Sequence, residues 1–526
     1  MKKIISILLA VVMVLGLMAC GNTADTQQSA QTQSETQKQT EAQNQTETQT
    51  ATEVSAPGTA STVAGNVAPK YVFLFIGDGM SYPQFQAAAD YLGAQADSDD
   101  GILDGDVKLN FMKFPVAGSA VTYDSSSFCP DSASTATSIS TGHKTYSGTI
   151  NMDETGTTPY ETIAEKLHEQ LNWKIGVISS VNLNHATPAA FYAHQASRNN
   201  YYEIGREMID SGFEYFGGGA LKNEDGNEGS EDNLYDLAEA AGYKVAKTQA
   251  EAEAVTAEDG KVILIDEHLA DSDAMDYDLD RADGEWALAD YVKKGIEVLD
   301  NDTGFFMMCE GGKIDWACHA NDAGSTVTDT VALANAVQAA MDFAAEHPEE
   351  TLILVTGDHE TGGLTIGYAG TDYDTYLTNL TSQTISYAQF DEQYVAGYKE
   401  NQTSFEDAMK DVETLFGLKM EGSEDDKLVL TEYEIQRLKD AYTLSLSDFD
   451  AENYSQEEYV LYGTYNPFSV TVTHILNNKS GISFSSYAHT GLPVAVFADG
   501  AAAENFNGYY DNTDIYNKLA AITGVK

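Results

Sequence analysis

Short, wholly apolar runs punctuate a largely polar chain. Order begins at Lys70, where "KYVFLFIGDGM" is continuously apolar from Tyr71 to Ile76 and closes on Gly77-Asp78-Gly79. Such a run predicts a strand buried on both faces, with a tight turn at its carboxyl end. The pattern recurs in "WKIGVISSV" (Trp173–Val181), "KVILID" (Lys261–Asp266), "TGFFMMCEGG" (Thr303–Gly312), "TLILVTGDHETGG" (Thr351–Gly363) and "LPVAVFADG" (Leu492–Gly500). Amphipathic segments lie between some of them, as in "ETIAEKLHEQL" (Glu161–Leu171) and "DTVALANAVQAAMDFAAEH" (Asp329–His347). Buried strands alternating with helices predict an α/β fold with a central, mostly parallel sheet flanked by helices. Sites in such sheets form beyond the carboxyl ends of the strands.

The pattern breaks at about 368–486. That stretch is acidic and rich in Tyr, with helix-like "FEDAMKDVETLFGL" and "LTEYEIQRLKDAY". It reads as an inserted subdomain that decorates the sheet. No internal repeat is visible.

The N-terminus follows different rules. Lys2 and Lys3 precede an apolar run from Ile4 to Met18, too short for a comfortable membrane span. "LMAC" is similar to the lipobox of bacterial lipoproteins, so residues 1–20 read as a signal peptide and Cys20 as the lipidated mature N-terminus. Residues 21–66 are almost all Gln, Thr, Ser, Ala, Glu and Asn, which bury no core and predict a disordered tether. The globular part is 67–526. The expected location is extracytoplasmic, with the membrane engaged only through the lipid anchor.

Composition narrows the partners. Against 82 acidic residues stand 28 basic ones, a net charge of −54. Like charge excludes nucleic acid as a partner. Beyond Cys20 the cysteines are Cys129, Cys309 and Cys318, an odd number that rules out a full disulfide framework. They are expected as small buried apolar side chains.

Candidate chemistry collects at the strand ends: Asp78, Glu310 and Asp358-His359. Carboxylates gathered on one sheet edge repel unless a cation sits among them. In "EGGKIDWACHAND", Asp315 and His319 are spaced i, i+4 and share a helical face, an arrangement zinc accepts. His489 precedes the final apolar run. In "CPDSASTATSISTGHKTY", Ser132 follows Pro130-Asp131 and opens a run of small residues. This is not the Gly-x-Ser-x-Gly elbow of a serine–histidine hydrolase, and the histidine near it in sequence is His143. Whatever activates Ser132 comes from elsewhere in the chain. The Ala/Ser/Thr run predicts a helix whose N-terminal amides and dipole favour an anion at Ser132.

From about Tyr71 onward the chain resembles the alkaline phosphatase family, in family order. The resemblance rests on "FIGDGM", "PDSASTAT", "HATPAAFYAHQASR" (His185–Arg198), "EGGKIDWACH", "TGDHETGG" and "AHTG". It implies an alkaline-phosphatase-like catalytic domain over 67–526 that hydrolyses phosphomonoesters at alkaline pH through a phosphoserine on Ser132. It implies two zinc ions and one magnesium ion. The first zinc falls to Asp315, His319 and His489, and the second to Asp78, Asp358 and His359, completed by Ser132. Magnesium falls to Asp78, Thr187 and Glu310. Nitrogen-bearing sets suit zinc and the all-oxygen set suits a hard cation. Arg198 becomes the phosphate clamp, its planar fork suited to two phosphoryl oxygens. Asp131, His185 and Trp316 flank substrate and ligands. Positions 185 and 316 vary in the family, and a His at 185 puts the identity of the third metal in question. His143, His168, His194, His268, His347 and His474 match no ligand position and read as core or surface. A homodimer is compatible with the resemblance.

Two alternatives carry different functions. A phosphodiesterase or sulfatase of the same superfamily would use related ligands, but sulfatases need x-Pro-x-Arg after the nucleophile, and Ser132 with Arg198 favours monoesters. A tethered phosphate- or metal-binding lipoprotein would explain residues 1–66 and the anion site, but not the ligand set together with a nucleophile.

Overall fold

The structure, a computed structural model, describes residues 68–96 and 105–526 apart from Glu424, Asp448 and Asp450. The expected signal peptide, Cys20 and the 21–66 segment lie outside the described residues. Among the described residues no helix is long and apolar enough to cross a membrane.

The ten-stranded sheet comprises β1 (Tyr71–Gly77), β2 (Val116–Val121), β3 (Lys174–Asn182), β4 (Tyr215–Gly219), β5 (Tyr243–Ala246), β6 (Lys261–Ile265), β7 (Phe305–Gly311), β8 (Thr351–Gly357), β9 (Val494–Gly500) and β10 (Tyr509–Asp511). Their order is β10-β2-β9-β8-β1-β7-β3-β4-β6-β5. Every pairing is parallel except those of β9 with β8 and β2. The apolar runs are therefore strands, as the pattern predicts. The run at Leu492–Gly500 enters antiparallel. The sequence pattern does not single out β2, β4, β5 and β10. They are short, or carry glycines ("YFGGG", "VAGSAV") in place of a continuous bulky run.

Alternation along β1 supplies both faces of the sheet. Phe73 and Phe75 enter one apolar cluster, and Val72, Leu74 and Ile76 the other. The helices that matter for the site are α1 (Tyr82–Gln95), α2 (Ser132–Thr141), α3 (Lys313–His319) and α4 (Ala323–Glu346). The last starts six residues before the predicted Asp329 because Asp322 caps it, accepting from the Ser325 amide.

The 368–486 region is helical, with α5 (Phe405–Phe416), α6 (Glu432–Ser445) and α7 (Pro467–Ser480). Phe468 is fully buried and packs edge-on against Tyr442 at 4.9 Å. Most of the insertion's buried apolar residues belong to the same cluster as Phe73 and Phe75, while Ala441, Tyr462 and Val470 form a small cluster of their own, so the insertion largely extends one core layer of the sheet.

Strand register sets up the site. Gly77 is level with Gly357 on one side and Gly311 on the other, and Ser179 is level with Glu310. Three neighbouring strands thus end together, and Asp78, Glu310 and Asp358 emerge side by side. The turn that follows β1 needs glycine: Gly79 has φ +69°, in the left-handed region. At Gly357 a Cβ would lie 2.0 Å from the Met80 carbonyl oxygen, so only glycine lets that turn pack against β8.

Candidate active site

The ten residues of α2 are all buried, which their small side chains permit. Asp131 caps the helix, accepting from the Ser134 amide at 3.1 Å. Ser132, in the first turn, puts Oγ 3.2 Å from His359 Nε2 and 3.4 Å from Asp78 Oδ1. The loop before it is organised by Asp124. That carboxylate accepts from the amides of Ser126 and Ser127 at 2.7 and 2.6 Å and from the Ser134 hydroxyl at 2.7 Å. Asp124 carries no motif signal, and the sequence reading missed it. Cys129, on this loop, is exposed, unlike Cys309 and Cys318. The expectation of burial fails there because the residue lies on a surface turn, whereas Cys309 sits in β7 and Cys318 in α3.

Two clusters meet beside Ser132. In the first, His359 Nε2 lies 3.1 Å from Asp78 Oδ1 and 3.4 Å from Asp358 Oδ2. Thr135 donates to Asp358 at 3.0 Å, and Thr187 donates to the second oxygen of Asp78 at 3.3 Å. Glu310 stands at the β7 end of this group. The Ser179 hydroxyl donates to one of its oxygens, and the other, Oε1, is buried without a partner.

In the second cluster, His319 Nε2 lies 3.3 Å from Asp315 Oδ2 and 3.1 Å from His489 Nε2, which in turn lies 3.6 Å from Asp315 Oδ1. The His359 and His489 rings stack at 3.7 Å, so donor atoms of Asp315, His359 and His489 also fall within 4.8 Å of one another. All eight ligand positions implied by the resemblance therefore converge. Thr361, missed in the ligand assignment although it lies inside the "TGDHETGG" motif, bridges the clusters: it donates to Asp315 at 2.5 Å and its oxygen lies 3.2 Å from His359 Nδ1.

These residues fit cations. His319 Nδ1 faces the Tyr487 carbonyl at 2.6 Å, and His489 Nδ1 faces the Pro130 carbonyl at 2.5 Å. Each Nδ1 must donate, which leaves the two Nε2 atoms to share a proton or a cation between them. Two of the four carboxylates tell the same story; at Asp78 and Asp315 burial is outweighed by the facing histidines, and both lie below the usual range. Burial, then the charge of Asp78, pushes Glu310 well above the usual range. Burial and Asp78 also raise Asp358. Burial opposes the protonation of His359, but Asp358 and Asp78 outweigh it and carry its pKa up to about 10. Groups that hold protons this tightly are groups short of positive charge.

Arg198 approaches from the other side. Its Nη1 lies 2.8 Å from Asp131 Oδ2, its Nη2 lies 3.3 Å from His185 Nε2, and its amide donates to the Gly148 carbonyl at 2.7 Å. Burial and then the Arg198 charge depress His185 to about 3, so this imidazole is neutral. Its Nδ1 is buried without a partner, and its ring meets Trp316 edge-on at 5.9 Å. The histidines set aside as core or surface stay outside the cluster. His474, for one, is held by Asn321 at 3.0 Å.

The chain matches the family described as alkaline phosphatase over residues 69–525. Among curated proteins it is similar to alkaline phosphatase 3 of Bacillus subtilis (strain 168), 29% identical over 455 residues, covering 85% of this chain and 87% of that one. Among solved structures it is similar to a cold-active alkaline phosphatase from the psychrophile Shewanella sp., with a TM-score of 0.70 and 27% identity, covering 86% of this chain and 99% of that one. The fold is shared with the alkaline phosphatase of Thermus thermophilus, at a TM-score of 0.70 and 21% identity, covering 87% of this chain and 92% of that one.

The cluster predicts how the cation-free protein responds to pH. Asp358 and Glu310, raised above their ordinary values, keep protons in the folded state that the unfolded chain has lost. His359 keeps its proton to about pH 10, against 6.5 when unfolded. Each of these contributions is lost as pH rises. His185 and His489, depressed to about 3 and about 4, act in the opposite sense, but only below pH 6.5. Chelator-treated protein should therefore melt at progressively lower temperature from pH 6.5 to pH 9.5, and added Zn²⁺ and Mg²⁺ should recover most of the loss. Melting curves recorded with and without the cations check this; a flat or rising profile without them would contradict it.

Proposed function

The chain belongs to the alkaline phosphatase family, and on that premise we propose that it hydrolyses phosphomonoesters through a phosphoserine formed on Ser132, releasing inorganic phosphate at alkaline pH. Membership and fold make it a phosphatase-type hydrolase. The observation that carries the finer reading is the position of Ser132 Oγ, within 3.4 Å of both His359 and Asp78 at the start of α2, with Arg198 held across from it through Asp131.

Asp315, His319 and His489 would hold one zinc ion, and Asp78, Asp358 and His359 a second. Asp78, Thr187 and Glu310, all oxygen donors, would hold magnesium. When bound, these cations supply Lewis-acid charge that favours the ionised serine and the departing alkoxide. The rest is done by the chain. The Ser132 hydroxyl surrenders its proton to solvent in the field of the cluster, its oxygen attacks phosphorus, and the departing alcohol oxygen takes a proton back from solvent. The new Ser–O–P bond forms as the alcohol oxygen leaves on the opposite side. The α2 dipole favours the anion gathered at its N-terminus. Arg198 can turn its fork from Asp131 onto two phosphoryl oxygens, which a lysine could not match. Neutral His185 accepts from Arg198 and adds no charge of its own. Water then breaks the phosphoserine. The raised ligands explain the alkaline range: protons compete with cations for Glu310, Asp358 and His359, and lose as pH rises.

Ser132→Ala should lower kcat on p-nitrophenyl phosphate on the order of a thousandfold or more, with slow hydrolysis surviving because the rest of the site still binds and polarises phosphate. Mass spectrometry of acid-quenched wild type should find phosphate on Ser132. Phosphate trapped on any other residue, or faster turnover of the bis-ester than of the monoester, would sink the reading. From the lipobox-like "LMAC" and the polar 21–66 segment we further propose that the enzyme lies outside the cytoplasm, held by lipid on Cys20. Cys20→Ser should move the activity from the membrane fraction to the soluble one, and a wild type already soluble would refute the anchor.

A further inference from the structure

An arc of aromatic side chains runs from the insertion to the arginine clamp. Tyr487, whose carbonyl accepts from His319, has its ring 6.2 Å from that of Tyr465. Tyr465 meets Tyr387 at 5.5 Å, and Tyr387 meets Tyr277 at 6.0 Å. Lys313 Nζ links Tyr277 to Trp316, 4.0 Å above one ring and 4.8 Å from the other, and Trp316 touches His185. The arc flanks the side of the site formed by Asp315, His319 and His489. Asp315 is also among the charges that raise the Tyr465 hydroxyl, after burial and Tyr387. Ser132 belongs to the other side, against Asp78 and His359. In-line displacement sends the departing alcohol away from Ser132, and so toward this arc.

Beside the arc lies an open cleft of about 490 Å³, lined by Tyr387, Tyr465, Asp271, Asp391 and Glu392. Asp391 Oδ1 is buried there without a hydrogen-bond partner. Among the described residues, no lysine or arginine forms an ion pair with these three carboxylates. Lys313 senses Asp271, but its charge is enclosed by the two rings and also offset by Asp329, Asp276 and Asp280. Partly exposed tyrosine faces beside carboxylates without an ion-pair partner recognise one class of group well: a cation with an apolar outer surface.

We propose that this cleft is the leaving-group subsite and selects phosphomonoesters whose alcohol carries an ammonium or trimethylammonium group. The proposal rests on the phosphomonoesterase reading above, and it gives the insertion a role: Tyr387, Asp391, Glu392 and Tyr465 all come from it.

The test uses the metal-loaded full chain and three substrates. These are phosphocholine, its uncharged carbon analogue 3,3-dimethylbutyl phosphate, and p-nitrophenyl phosphate. Phosphocholine should exceed the carbon analogue by about fivefold or more in kcat/KM, mostly through KM, as expected of a cation over tyrosine faces. Tyr465→Leu, and separately Asp391→Asn with Glu392→Gln, should shrink that ratio toward one, while Tyr465→Phe, which keeps the ring, should preserve it. Asp271→Asn offers a half-exposed variant should the others fail to fold, and it should also reduce the ratio. Equal kcat/KM for phosphocholine and the carbon analogue in wild type overturns the proposal. So does failure to hydrolyse either one while p-nitrophenyl phosphate is turned over, or an unchanged ratio in the folded variants. No turnover of p-nitrophenyl phosphate would instead remove the phosphomonoesterase reading itself.

Discussion

Mutual repulsion among buried carboxylates is the constraint on which this molecule turns. Asp78, Glu310 and Asp358 are each fully buried, and the shared register of β1, β7 and β8 leaves them no choice but to emerge together. Burying one ionised carboxylate without compensation is costly, and three together are worse. The protein answers in part with His359, in part with hydrogen bonds from Thr135, Thr187 and Ser179, and leaves Glu310 Oε1 with nothing. The remaining deficit is what a divalent cation would fill. Everything reactive is arranged around that deficit: the α2 N-terminus, the Ser132 hydroxyl and the Arg198 fork.

Much of this was legible in the chain because burial writes itself as continuous apolar runs. β1, β3, β6, β7, β8 and β9 are all marked that way, and the charged residues ending β1, β7 and β8 stand out against them. Asp315 and His319 were legible through helical spacing. Strands such as β4 and β10 were not, because a Gly-rich or three-residue strand takes its conformation from its neighbours and not from its own side chains. Asp124 and Thr361 were invisible as site residues for a related reason. Each acts through hydrogen bonds to residues brought near by the fold, and no local spacing encodes that. The sharing of His359 between the two clusters is likewise a fact of three dimensions.

The insertion shows the same limit from another side. Its acidic, Tyr-rich composition reads as decoration. Its helices prove to extend the core layer under Phe73 and Phe75, and its tyrosines reach toward the Asp315 side of the site. A composition that solubilises a surface elsewhere here lines a cleft beside the tyrosine arc.

The central claim is that the convergent ligands exist to hold divalent cations. Metal content of the purified chain, measured by mass spectrometry before and after exhaustive dialysis, tests it most directly when wild type is compared with Glu310→Gln. The account predicts about three divalent ions per chain in wild type, two of them zinc, and selective loss of the magnesium in the variant. A wild-type chain that retains no stoichiometric metal yet keeps full activity would contradict it.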